Sequence, residues 1–262
     1  MRITFLGTGT SHGVPMIGCD CATCRSTDPR DRRLRPSIYV EADTDPAGTK
    51  VLVDAGPDLR AQALRENIRR VDAILFTHSH ADHILGLDDV RRFNALMKRP
   101  MPCYGDTGAL DDVRQTFHYV FNPATPKGGG LPALQLTRVD GPFRVGSLDV
   151  QPIPLWHGDR PILGFRFGRA AYLTDCNRLA GEAWPLLTDL DVVVIDALRE
   201  QPHPTHFSLG EAIEAARRIG ARQTFFTHMC HHLRHEPTNA RLPAGMALAY
   251  DGLVLEMPNG AI

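Results

Sequence analysis

The sequence predicts an α/β fold: an αββα sandwich of two mixed β-sheets flanked by helices, formed as one domain over residues 1–262. Three observations carry this expectation. Short apolar, β-branched segments recur along the chain and outnumber helical patterns. Turn clusters such as Asp54-Ala55-Gly56-Pro57 separate them, so most neighbouring strands are expected to pair as hairpins. No linker, repeat or low-complexity tract divides the chain.

The β-like segments fall at 2–6, 38–43, 50–54, 72–76, 148–154, 163–168, 171–174, 192–196, 223–227 and 252–256. Helical patterns fall at 58–66, 84–98, 107–118 and 208–219. The last has a defined start, because Ser208 as N-cap and Glu211 three residues later form a capping box, and Ile213, Ala216 and Ile219 lie near one face. Residues 122–130, rich in Pro and Gly, read as a surface loop or lid.

A hydrophobic fraction of 43% with 23% charged residues is ordinary for a soluble globular protein. Twenty-nine basic against thirty acidic side chains leave a net charge of −1, which gives no global attraction to nucleic acid or anionic membranes. The arginines at 30, 32, 33 and 35, and the Arg91-Arg92 pair, read as solvated faces. Met1-Arg2-Ile3-Thr4-Phe5-Leu6-Gly7 reads as a strand rather than a signal peptide, and no run reaches the length of a membrane span. The cytoplasm is the expected compartment. The six cysteines fit it as thiols or metal ligands, since Cys19, Cys21 and Cys24 lie too close together for an easy disulfide framework.

Chemistry concentrates after the predicted strand 72–76. There His78, His80, Asp82 and His83 crowd into one turn, and imidazole with carboxylate is the donor set for zinc, manganese or iron. Two metals need about six to eight protein ligands, and His157, Asp175 and His228 each stand at the end of a β-like segment in a comparable setting. A second cluster, Cys19-Asp20-Cys21-Ala22-Thr23-Cys24, supplies three of the four soft ligands of a closed tetrahedral zinc site. His231 is the candidate fourth ligand, with Cys230 and His232 as local competitors.

These motifs, from Leu6-Gly7-Thr8-Gly9 to the last strand, resemble the metallo-β-lactamase superfamily of metallohydrolases. The resemblance implies that His78, His80 and His157 hold one metal, that Asp82, His83 and His228 hold the second, and that Asp175 bridges them. Asp54 would support a ligand histidine from behind. Two adjacent cations imply hydrolysis by an activated water.

The cysteine cluster, the His228/His231 pair, Leu242-Pro243-Ala244-Gly245 and Tyr250-Asp251-Gly252-Leu253 look like the phosphoribosyl cyclic phosphodiesterases of the PhnP family. Those enzymes open the 1,2-cyclic phosphate of 5-phosphoribose in phosphonate breakdown and also hydrolyse 2′,3′-cyclic nucleotides. By this resemblance the site cations are manganese or zinc and the cysteine-bound zinc is structural. The partner is a small phosphorylated substrate, not a membrane, nucleic acid enters only as small cyclic nucleotides, and the protein forms a homodimer. Catalysis is assigned to His206 and Asp82, with His206 giving a proton to the leaving oxygen and His203 as its local rival. The match is weaker between residues 99 and 150, and His118, His235 and Cys103 carry no assigned role.

Three other readings are carried. A tRNA 3′-processing ribonuclease shares the Gly7-Thr8-Gly9 start but needs basic surface for a folded polyanion. PqqB, a coenzyme-synthesis protein, shares the fold and cysteine cluster and implies oxidative chemistry. The last is a non-catalytic binding protein stapled by its metals.

Overall fold

A computed structural model describes residues 1–42, 48–126, 128 and 130–257. Along the chain, β1 (Arg2–Gly7), β2 (Ser37–Glu41) and β3 (Lys50–Val53) lead into helix α1 (Leu59–Arg65), then β4 (Ala73–Leu75), α2 (Ala81–Ile84) and α3 (Val90–Met97). They are followed by β5 (Met101–Gly105), α4 (Thr107–Thr116), α5 (His118–Phe121) and β6 (Leu134–Arg138). The second half runs through β7 (Phe143–Val145), β8 (Leu148–His157), β9 (Arg160–Phe167), β10 (Ala170–Leu173), β11 (Arg178–Leu179) and β12 (Val192–Asp196). Helix α6 (Leu209–Ile219), β13 (Gln223–Thr227), α7 (His235–Asn239), β14 (Met246–Leu248) and β15 (Val254–Glu256) complete it.

Two sheets form, in the orders β15-β1-β2-β3-β4-β5-β6 and β11-β8-β9-β10-β12-β13-β14, with β7 paired to β8. Alternation along the strands explains why they stack. Val51 and Val53 of β3 join Leu75 of β4 against Phe165, Tyr172 and Val194 of the other sheet, while Leu52 and Ile74 turn outward to Leu59, Val90 and Val113. On the far side Ile195 and Phe226 pack on Leu209 and Ala212 of α6. The central strands are thus covered on both faces, which is why they read as continuous apolar runs. The sandwich and its outer helices match the expected fold.

Several expectations change. Hairpins account for only part of the pairing: β3-β4-β5-β6 and β10-β12-β13-β14 are parallel throughout. Parallel neighbours need crossovers, and the helical segments between them supply these. The helix expected at 84–98 is interrupted, because the chain comes so close to the turn after β3 at Gly86 that a Cβ there would lie 2.0 Å from the Gly56 carbonyl oxygen. The segment 148–154 continues to His157, and 163–168 begins earlier, at Arg160. The short or half-exposed strands β5, β6, β7, β11 and β14 were not anticipated. Of the expected strand 38–43, residue 43 lies outside the described residues, as do Lys127 and Gly129 of the expected loop 122–130.

The basic cluster is not one solvated face. The Arg33 side chain is fully buried, with Nη1 donating to the Cys230 carbonyl at 3.0 Å and Nη2 to that of Leu233 at 2.5 Å. Arg35 instead donates to Asp58 and Arg30 to Asp28. The capping box of α6 is present, and Gly220 (φ 72°) ends that helix. Among the described residues no helix is long and apolar enough to cross a membrane.

Candidate metal centre

One sheet-sandwich edge collects the ends of six strands. β3 and β4 run parallel, as do β10, β12 and β13, so Asp54, the His78–His83 turn, Asp175 and His228 follow strand C-termini and Asp196 is the last residue of β12. His157 ends β8. Asp54 (φ 62°) and His228 (φ 60°) hold left-handed backbone that turns each side chain back over the strand edge. The four-residue α2 starts after His80 and places Asp82 and His83 in its single turn.

The seven predicted ligands come together in two sets, His78, His80 and His157 in one, Asp82, His83, Asp175 and His228 in the other, the donor atoms within each lying within 4.8 Å of one another. Asp175 stands between them through a single oxygen. Its Oδ2 is 2.9 Å from His83 Nε2, 3.0 Å from His228 Nε2 and 3.7 Å from His78 Nε2, while Oδ1 accepts the Thr174 hydroxyl at 2.7 Å. Asp82 Oδ2 lies 3.5 Å from both His83 and His228. All seven are buried except His80, which opens to solvent.

Bonds behind the ligands decide which ring nitrogen faces the centre. His83 Nδ1 pairs with Asp54 Oδ2 at 2.7 Å, and Thr77 donates to the same carboxylate from its backbone N–H (2.9 Å) and hydroxyl (2.8 Å). His157 Nδ1 donates to the Thr205 carbonyl at 2.8 Å. In each case Nε2 is left for the centre. Burial, then His83, holds His78 well below its ordinary pKa; burial likewise lowers His80 and His157. Burial opposes charge on His83 and His228 as well, yet their carboxylate neighbours outweigh it, raising His83 strongly and His228 to about 10. A field that favours positive charge at this point is one that suits a cation.

The donor set fits divalent metal. His78 Nε2, His228 Nε2 and Asp82 Oδ2 are buried, converge on one space, and make no hydrogen bond among the described residues. At the second cluster Cys19, Cys21 and Cys24 Sγ stand 3.1, 3.7 and 3.6 Å from His231 Nδ1. Tetrahedral zinc, with Zn–S about 2.3 Å and Zn–N about 2.1 Å, separates sulfur from nitrogen by roughly 3.6 Å. His231 rather than Cys230 or His232 completes this group. The backbone N–H of Cys24, donating to Cys21, holds that thiol below its usual pKa.

His206 lies beside the ligands, its ring stacked on His228 at 4.7 Å and edge-on to His157 at 4.7 Å. Its Nδ1 pairs with Asp196 Oδ2 at 2.7 Å, and Asp196 is fully buried. His203 stands one ring further out, 5.1 Å from His206. Asp196 was missed in the sequence, although it closes an apolar strand much as Asp54 and Asp175 follow theirs. The Thr205 carbonyl carried no signal, since only folding brings a backbone oxygen to His157.

The sequence profile of the beta-lactamase superfamily domain matches residues 49–229. A solved structure described as a new diphosphatase from the PhnP family is 44% identical, covers 98% of each chain and superposes with a TM-score of 0.90. Zn(2+)-bound PqqB from Methylobacterium extorquens shares the fold at 21% identity, TM-score 0.79, over 98% of this chain and all of that one. An octanoyltransferase of Porphyromonas gingivalis is 40% identical over 97% of this chain and 51% of its own length. The chain thus spans about half the length of the first curated relatives it matches.

Proposed function

The chain belongs to the beta-lactamase superfamily and, within it, to the PhnP family; it is a metal-dependent hydrolase, and we propose that it opens a small cyclic phosphodiester, such as 5-phosphoribosyl 1,2-cyclic phosphate or a 2′,3′-cyclic nucleotide. The observation that carries this reading is the His206–Asp196 pair set against the ligand cluster. Opening a cyclic phosphodiester expels an alkoxide, which needs a proton as the P–O bond breaks.

His78, His80 and His157 would hold one cation, Asp82, His83 and His228 the other, and Asp175 Oδ2 would serve both. Manganese or zinc suits these donors, and zinc suits the three cysteines with His231. When bound, the two cations supply an activated water and neutralise charge developing on the phosphoryl oxygens. The chain's own residues do the rest. Asp54 and Thr205 hold the rings of His83 and His157 in one tautomer, so the ligands do not reorganise during reaction. Asp196 accepts from His206 Nδ1, which fixes the ring and leaves Nε2 to give a proton to the departing oxygen. Asp82 acts as both ligand and anionic neighbour of His83 and His228.

The test is hydrolysis of 2′,3′-cyclic AMP by protein loaded separately with manganese or zinc, beside His206→Ala with matched metal content. Metal-dependent ring opening that falls by about two to four orders of magnitude in the variant is expected. Absence of turnover from both metallated forms would overturn the cyclic phosphate assignment.

A further inference from the structure

The cation position formed by His78, His80 and His157 draws its ligands from both sheets. His78 and His80 sit in the turn after β4, and His157 ends β8, the first strand of the β8–β9 hairpin. The His157 ring centroid stands 4.9 Å from that of His80 and 5.4 Å from that of His78. The grip of this set on a cation therefore depends on how the hairpin sits against the turn. The neighbouring position is secured from within, since Asp82, His83, Asp175 and His228 are all buried and two of them are carboxylates. The first set consists of three imidazoles, draws on Asp175 Oδ2 at 3.7 Å from His78 Nε2, and opens to solvent at His80.

Three side chains close that open edge. Arg160 begins β9 and is the cross-strand neighbour of His157. Its Nη2 donates to Ser79 Oγ at 2.7 Å and to Asp112 Oδ2 of α4 at 2.8 Å, and the Ser79 hydroxyl donates to the same Asp112 oxygen. Ser79 lies between His78 and His80 in the chain. Further along β9 the Leu163 N–H donates to the Thr77 carbonyl at 3.0 Å, so hairpin and turn are joined at both residues that flank His78. Other bonds hold the hairpin tip and the His157 ring: the Gly158 N–H donates to Asn177 Oδ1 at 3.0 Å, and His157 Nδ1 to the Thr205 carbonyl at 2.8 Å. The Arg160 and Asp112 side chains are 36% and 46% exposed, and an ion pair so exposed adds little to overall stability. A contact of small value to the fold thus stands where it sets the distance between ligands.

We propose that Arg160, with Ser79 and Asp112, is a positioning clasp that holds the β8–β9 hairpin to the ligand turn at the spacing the His78/His80/His157 cation requires. Its loss weakens binding of that cation and leaves the Asp82/His83/His228 cation and the cysteine-bound zinc in place. The inference rests on the two-cation reading above and is independent of which substrate is turned over.

Manganese-loaded parent protein and Arg160→Gln would be titrated with EDTA, and the manganese and zinc still bound counted by elemental analysis after each addition. His80→Ala, which removes a ligand of the same cation, identifies the step that belongs to this position. In Arg160→Gln, binding at that step is expected to weaken by about 10- to 100-fold, with the other manganese retained as in the parent. Once all manganese is removed, the two proteins should melt at the same temperature. Arg160→Lys keeps the charge without the forked geometry and should recover part of the loss. Arg144→Gln, which breaks an exposed pair with Asp149, should behave as the parent. Equal retention of manganese in the parent and Arg160→Gln, or equal weakening of both cations, would overturn the inference. Hydrolysis of 2′,3′-cyclic AMP, followed in the same samples, separates the two claims. If the manganese steps behave as expected but the parent shows no turnover, the cyclic phosphate reading falls and the clasp stands; a parent that binds fewer than two manganese ions overturns the clasp together with the two-cation reading.

Discussion

His235 shows how far a single side chain can depart from its sequence neighbourhood. It is buried, donates its backbone N–H to Asp31 Oδ1 at 2.7 Å, and sets its ring edge-on to Tyr250 at 5.8 Å. Burial first, then Arg30 and Arg33, push its imidazole down to about 4. The unfolded value is about 6.5, so the unfolded chain takes up a proton that the folded one refuses. His235 therefore contributes stability that is fully present above about pH 6.5 and is lost as pH falls toward 4, of order 3 kcal/mol in all. Since Nδ1 makes no hydrogen bond among the described residues, His235→Phe keeps the packing and removes the titration. Urea midpoints measured at pH 7.5 and 4.5 should drop less in the variant than in the parent, and equal drops would exclude His235 as a source. Nothing in the sequence distinguishes His235 or Arg33, because the partners of Arg33 lie 197 and 200 residues away. The strand-end ligands were legible because an acid or histidine after an apolar run is visible locally.

At the scale of elements, the turn after β3 and the short helix α2 are built as one unit. The Ala55 N–H donates to the His83 carbonyl at 2.7 Å, and a Cβ on Gly56 would lie 2.0 Å from the Asp82 carbonyl oxygen. Backbone cannot give way as a flexible side chain can. Gly56→Ala should therefore displace Asp82 and His83, cut metal affinity at that position, and lower the melting temperature by roughly 3–10 °C. Normal metal content with an unchanged melting temperature would show that the close approach tolerates a methyl group. The interruption at Gly86 has the same origin, and periodicity could not reveal it, since residues 84–98 taken alone alternate as a helix should. The capping box of α6 was legible in advance because all its atoms lie within four residues.

Across the whole molecule, the cysteine cluster ties a long excursion between β1 and β2 to the loop that follows β13. Cys19, Cys21 and Cys24 meet His231 more than 200 residues later, and His231 is three residues beyond His228. Arg33 and Asp31 reinforce the same junction through Cys230, Leu233 and His235. Cys24→Ser should lose one zinc per chain by metal analysis and melt about 5 °C or more below the parent protein. An unchanged zinc count would show that these four side chains are not a metal site.

The sequence by itself determined the chemistry: which side chains can bind metal, that they stand at strand ends, and that two sheets with outer helices must bury so many apolar strands. Those are properties of residue type and short-range pattern, and they survive without coordinates. Tertiary structure alone decided the parallel order of the central strands, the single oxygen of Asp175 that faces both histidine sets, and the pairing of His206 with Asp196. Each depends on where segments far apart in the chain come to rest, and that is set by packing the two sheets together rather than by any local preference.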